Sequence, residues 1–234
     1  MLPDDILARI FELCVEGNQD DCAATMSPEV VLSHVSTRFR SVALSLPSLW
    51  SRLSSNMSKR CLQRNLKRSG VAALDVTISG HTMSKRLALF IYNVQRECSR
   101  WKSFKIYVDD VEAMNSRFLE QLRISFGDLQ LPSLEFFELS HNCRSGNTDA
   151  VTNIDFFRLY HSWSMPKARH ISICGNARSS LPGPFSLEAV SFLSLSHPVD
   201  GGIRLRLLLG TLASMPLTAT GNILLLVPHT RRGH

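Results

Sequence analysis

The sequence predicts a mixed α/β chain: three short helices over residues 1–52, a connecting helix over 53–72, and then an irregular α/β solenoid with one curved parallel sheet over 73–228. Three observations predict it. Apolar residues in the opening stretch recur at helical spacing behind two helix-start signals. Beyond residue 73 the period changes to the alternation of a half-buried strand. From there helix-like and strand-like segments alternate at intervals of roughly 20 to 35 residues, the spacing of stacked units that bury their apolar faces against one another.

In the head, Pro3 fixes φ at a first helical position, and Asp4 and Asp5 place negative charge at the positive end of the helix dipole. Ile6, Leu7, Ile10, Phe11, Leu13 and Cys14 follow as a wide apolar face. Ser27-Pro28-Glu29 is a second start signal, with Ser27 as N-cap and Val30, Val31, Leu32 and Val35 as the buried side. A third apolar set, Phe39, Val42, Ala43, Leu44 and Leu46, runs into Pro47-Ser48-Leu49-Trp50. Three helices this short enclose too little volume for so many large side chains, so part of their face requires a partner.

Arg52 to Asn56 reads as a short polar joint. Lys59 to Arg68 follows as an amphipathic helix with Cys61, Leu62 and Leu66 inward, ended by Gly70 as a left-handed cap. Leu74, Val76 and Ile78 then alternate with polar residues as a strand. A helix over 83–98 leads to a strand at Phe104, Ile106 and Val108. A helix over 111–126, apolar at Met114, Phe118, Leu122 and Ile124, leads through Leu131-Pro132-Ser133 to a strand at Leu134, Phe136, Phe137 and Leu139. A helical stretch over 154–163 leads through Met165-Pro166 to Ile171 and Ile173. A strand at Val190, Phe192, Leu193 and Leu195, a helix over 203–215 and a strand over 223–227 complete the alternation. Residues 229–234 are a basic tail.

The head also carries a resemblance. Leu-Pro-x-acid-Ile-Leu-x-x-Ile-Phe (Leu2 to Phe11), Val-Ser-x-Arg-aromatic-Arg (Val35 to Arg40) and Leu-Pro-x-Leu-Trp (Leu46 to Trp50) resemble an F-box in order and spacing, with Asp5 where the family usually has Glu and Phe39 where it often has Trp. Leu131 to Ser140 is similar to the strand-bearing part of a degenerate leucine-rich repeat, without its usual Asn and Leu ladder. Leu66 to Gly70 and Ser99-Arg100-Trp101 fall where comparable Arg-Ser-Gly and Arg-Trp elements are common. The whole resembles a fungal, basidiomycete-type family with an F-box followed by irregular leucine-rich repeats. Beyond Met215 the chain looks short for that family, so a truncated product is expected.

The resemblance implies a non-catalytic substrate-recognition subunit of an SCF-type ubiquitin ligase, taking part in ubiquitin-dependent protein degradation. The adaptor-binding residues would be Leu2, Pro3, Ile6, Leu7, Ile10, Phe11, Val35, Phe39, Leu49 and Trp50, docking a Skp-type adaptor and through it a cullin. Of these, Phe39, Leu49 and Trp50 have the alternative of joining the head to the repeats as core. The repeats would present a protein substrate.

Charge is distributed unevenly. Residues 1–50 carry three Lys/Arg and seven Asp/Glu, a net −4; residues 51–105 carry twelve and two, a net +10; and the remainder balances to give +6 overall. A basic patch of Lys59, Arg60, Arg64, Lys67 and Arg68 sits on one helix. A solvated face is the simplest account of it, an acidic protein partner the next, and nucleic acid is disfavoured because no aromatic residues interleave. Alternatives to the ligase are thus a scaffold acting without cullin, or an acidic-surface or nucleic-acid binder through residues 59–68.

No apolar run approaches the roughly 18 residues of a membrane span. The first helix carries Asp4, Asp5, Arg9 and Glu12 where a secretory signal would be basic and then apolar, so the expected location is cytoplasmic, nuclear or both. Six scattered cysteines show no zinc-ligand spacing and read as buried reduced thiols. No Gly-rich phosphate loop, Gly-x-Ser-x-Gly elbow or His-Glu-x-x-His occurs. His141 and Cys143, with His161 or His170, lack the supporting pattern of a Cys-His pair. No catalytic residue, cofactor or metal is expected.

Overall fold

Pro3 and the acidic pair behind it start the first helix, α1 (Asp4–Gly17), with Leu7 N donating to Pro3 O at 3.1 Å. The structure is a computed structural model that describes residues 2–17, 27–80, 82–108, 116–141, 162–174, 192–196 and 222–224. Pro28 opens α2 (Pro28–Val35). Ser27 precedes it in extended backbone, but its hydroxyl makes no capping bond, contrary to the N-cap expected of it. The side-chain cap belongs to the next helix: Ser36 Oγ accepts from Phe39 N at 3.1 Å at the start of α3 (Thr37–Ser45). A 3₁₀ turn, Pro47–Trp50, closes the head. Leu7, Phe11, Val15, Val42, Ala43, Leu49 and Trp50 form its small core, with Phe39 packed alongside, its ring centroid 5.1 Å from that of Phe11.

The second core belongs to a parallel sheet. Its strands are β1 (Arg52–Ser54), β2 (Leu74–Ser79), β3 (Trp101–Val108), β4 (Phe136–His141), β5 (His170–Cys174), β6 (Phe192–Ser196) and β7 (Asn222–Leu224), lying side by side in chain order. Every neighbouring pair is parallel. Parallel neighbours require crossover connections, and from β1 to β4 these are helical: α4 (Lys59–Ser69), α5 (Lys85–Gln95) and α6 (Ser116–Phe126). Leu62 of α4, Leu87, Phe90, Ile91 and Val94 of α5, and Phe118, Leu122 and Phe126 of α6 meet the alternate strand residues Leu74, Val76, Ile78, Phe104, Ile106, Phe137 and Leu139 in one continuous cluster.

The segment expected to be a polar joint is instead β1, the edge of this sheet. Its one inward side chain, Leu53, is flanked by polar neighbours, so three residues of alternation left no readable period. Gly70 ends α4 at φ 51°, as a glycine cap should, but with ψ −116° rather than the left-handed helical value. Val31, Val35, Leu44 and Ile124, counted inward from spacing, are exposed, as is Leu89 on α5. Among the described residues Cys14 is exposed and Cys61 and Cys98 are half-buried, unlike the buried thiols expected. The helices expected over 154–163 and 203–215 lie outside the described residues except for Ser162 and Trp163, as do Val190, Met114 and the basic tail.

Two local devices repeat along the chain. Each of its three tryptophans donates its indole N–H to a carbonyl at the C-terminal end of a helix: Trp50 to Ala43 O (2.9 Å, α3), Trp101 to Val94 O (3.1 Å, α5) and Trp163 to Gly127 O (3.1 Å, after α6). A helix leaves its last carbonyls without intrahelical partners, and a buried indole is a donor that needs an acceptor, so each satisfies the other. The second device is the turn before a strand. Leu49 N donates to Leu46 O, Leu134 N to Leu131 O and Ala168 N to Met165 O, each across a proline, and each turn precedes a strand.

Candidate interaction surfaces

α1 is apolar on two sides. Leu7, Phe11 and Val15 point into the head core, whereas Leu2 (53% exposed), Ile6 (44%), Ile10 (40%) and Leu13 (50%) form a second row at helical spacing that nothing among the described residues covers. Val31 and Val35 (60% exposed) add apolar surface on α2. The start of α1 is pinned by Arg38, which bonds Asp4 Oδ1 through Nε (2.9 Å) and Nη2 (2.6 Å) and also donates to Leu2 O. A basic residue 34 positions away gives no local signal of that role.

The ten residues expected on the adaptor face therefore divide. Leu2, Pro3, Ile6, Ile10 and Val35 are exposed, and Phe39 is half-buried. Leu7 and Phe11, at 4% and 1% exposure, lie within the head core; Leu49 and Trp50 are likewise fully enclosed. Helical spacing alone does not tell the two apolar sides of α1 apart.

Trp50 marks the joint between head and sheet. The guanidinium carbons of Arg68 and Arg64, one turn apart on α4, lie 4.2 and 5.5 Å from its ring centroid. Beside them Asn65, fully buried, donates from Nδ2 to the carboxylate of Glu29 on α2 at 3.2 Å. Two of the five residues read as a basic patch are thus partly spent on holding the head, while Lys59, Arg60 and Lys67 are exposed. Arg68 has its pKa lowered by burial first and then by the charges of Arg64 and Arg40. Further along, Arg100 donates to Ser69 Oγ at 2.9 Å and pairs with Glu97 at 3.5 Å, linking the Arg-Ser-Gly and Arg-Trp segments.

Helices α4, α5 and α6 pack on one face of the sheet. On the other, in-register strands place Asp75, Ser103, Phe136 and His170 in one row and Thr77, Lys105, Glu138 and Ser172 in the next. Register turns into contact here: Phe136 and His170 stack at 4.3 Å with 12° between planes, Lys105 Nζ lies 5.2 Å from the Phe136 centroid, and Tyr107 Oη donates to Glu138 at 3.2 Å. Asp75 is half-buried, and burial raises its carboxyl above the usual range against the opposing pull of Arg52, Lys102 and Lys105. A shallow cleft of about 260 Å³ lies at the ends of β1 and β2, lined in part by Ser55, Ser79 and Arg86. Its Ser55 hydroxyl is already engaged by Ser79 O and N.

Comparison with protein-family models, curated proteins and solved structures finds no match to this chain. Among the described residues no helix is long and apolar enough to cross a membrane.

Proposed function

We propose that the chain is a non-catalytic substrate-recognition subunit of a cullin-based ubiquitin ligase. In this account residues 1–50 act as an F-box whose outer α1 row docks a Skp-type adaptor, and an irregular leucine-rich-repeat-like solenoid offers its open sheet face to a protein substrate. The observation that carries the proposal is the uncovered row Leu2, Ile6, Ile10 and Leu13. A helix that buries one apolar side and exposes another matches a surface built for a partner helix. The motif order Leu2 to Phe11, Val35 to Arg40 and Leu46 to Trp50 supports the same conclusion. The chain itself would contribute proximity, raising the effective concentration of substrate near the conjugating machinery.

The test is co-expression of the full chain with a Skp-type adaptor and a cullin, followed by purification through the chain. Recovery of all three supports the ligase subunit. Recovery of the adaptor without cullin makes it a scaffold, and recovery of neither by folded chain refutes both.

A further inference from the structure

We propose that the paired helix starts at the edge of the sheet beyond β1 and β2 form a docking surface for an acidic, extended segment of a partner protein. The surface is separate from the outer row of α1 and does not rest on the ligase proposal. Met-Ser-Lys-Arg occurs twice, at residues 57–60 and 83–86. Each copy opens a helix in the same way. Ser58 Oγ accepts from Cys61 N at 3.3 Å at the start of α4, and Ser84 Oγ accepts from Leu87 N at 3.1 Å at the start of α5. Both helices begin just past the ends of parallel, neighbouring strands, so the two starts share one edge of the sheet. Arg86 joins them directly, its Nε donating to Met57 O at 3.2 Å beside the shallow cleft.

Lys59, Arg60, Lys85 and Arg86 are therefore four exposed cations on adjacent first turns. They stand at the positive ends of the helix dipoles, where a cation weakens a helix and a carboxylate supports it. The head follows that rule: Asp4 and Asp5 open α1, and Glu29 opens α2. Arg38, the cation in the first turn of α3, is matched by Asp4 at 2.6 Å. Among the described residues no carboxylate pairs with any of the four cations, and neither α4 nor α5 contains one. Solvation alone gives no reason to repeat the unfavourable sign at the same place in successive units, whereas an acidic partner does. Packed neighbouring helices lie about 10 Å apart, the rise of about three residues of extended chain. Acidic pairs three residues apart would meet both starts, while a single oxyanion reaches only one. Nucleic acid and bilayers fit less well, because the cleft lining holds hydroxyl and amide groups but no aromatic ring to stack on a base or enter a lipid surface.

The experiment measures binding of a fluorescent nonapeptide of three Glu-Glu-Gly repeats to the full chain in about 0.1 M salt, by anisotropy. Wild type, Arg60→Gln/Lys85→Gln and Lys67→Gln/Arg96→Gln are compared. Each variant removes one cation from α4 and one from α5, the first pair at the helix starts and the second at their far ends. Wild type is expected to bind saturably, and a Gln-Gln-Gly peptide not at all. Arg60→Gln/Lys85→Gln should weaken binding about 3- to 30-fold, the loss of two exposed charge contacts, and Lys67→Gln/Arg96→Gln less than about twofold. The first variant should melt no lower than wild type, because it removes cations from positive helix ends, which separates lost binding from lost folding. Absence of binding by folded wild type, or equal losses in the two variants, would overturn the proposal. Tighter binding of an oligothymidylate of equal charge, or of phosphatidylcholine vesicles with one-fifth phosphatidylserine, would do the same.

Discussion

Replacing Trp101 by Phe tests the indole-to-helix-end contact in isolation. The substitution keeps a buried aromatic ring but removes the donor that Val94 O meets at 3.1 Å. Leaving a buried acceptor unpaired costs about 1–3 kcal/mol. The lost ring atoms add about 1–2 kcal/mol, well below the 3–5 kcal/mol of full truncation to Ala. The expected destabilisation is therefore about 2–5 kcal/mol, read as a shift in urea midpoint at unchanged m. Trp50→Phe should cost about 1 kcal/mol more, since Arg68 and Arg64 also lose the stronger indole face. Most of that increment should disappear when Trp50→Phe is made in an Arg68→Gln background, since Arg68 is the nearer of the two to the ring; a double-mutant cycle measures it. A Trp101→Phe cost below about 0.5 kcal/mol, or strict additivity of Trp50→Phe with Arg68→Gln, would refute the reasoning.

Leu7→Ala should destabilise by about 2–5 kcal/mol because Leu7 is core, while Ile6→Asp should change stability by less than about 1 kcal/mol, its new charge sitting in the acidic first turn of α1; urea unfolding of both separates the two sides of the helix. Gly70→Ala should cost about 1–3 kcal/mol through backbone strain alone, since a Cβ there meets nothing within 4 Å; thermal melts measure it. Asp75 has a folded pKa above its unfolded one, so its penalty is absent at pH below the ordinary carboxylate range and appears as pH rises through the folded value. Asp75→Asn should therefore stabilise at neutral pH, with the gain shrinking on acidification through that window; a gain that stays constant with pH would contradict the burial argument.

The alternation of helix and strand was legible because each element repeats an apolar period long enough to read: Leu74, Val76 and Ile78 in β2, or Leu87, Phe90, Ile91 and Val94 in α5. What stayed hidden depends on partners far along the chain. β1 is a strand because β2 lies beside it, not because Arg52-Leu53-Ser54 has a pattern of its own. Asn65 is buried in an otherwise polar stretch because Glu29 waits 36 positions away, and Arg38 and Arg68 look like ordinary surface charge until Asp4 and Trp50 meet them. The candidate docking row was only half legible. Spacing placed Leu2, Ile6, Leu7, Ile10 and Phe11 on one helix, but which side buries is decided by α3 and the 3₁₀ turn that follows it. The phenylalanine–histidine stack on the open sheet face likewise required the register of β4 against β5.

Calorimetric titration of a Skp-type adaptor with wild-type chain and with Ile6→Asp/Ile10→Asp tests the central claim most directly. The account predicts a saturable complex with negative heat-capacity change, as burial of an apolar face requires, and a loss of at least about 100-fold in affinity for the double variant at little change in Tm. Absence of binding by folded wild type, or undiminished binding by the variant, would contradict it.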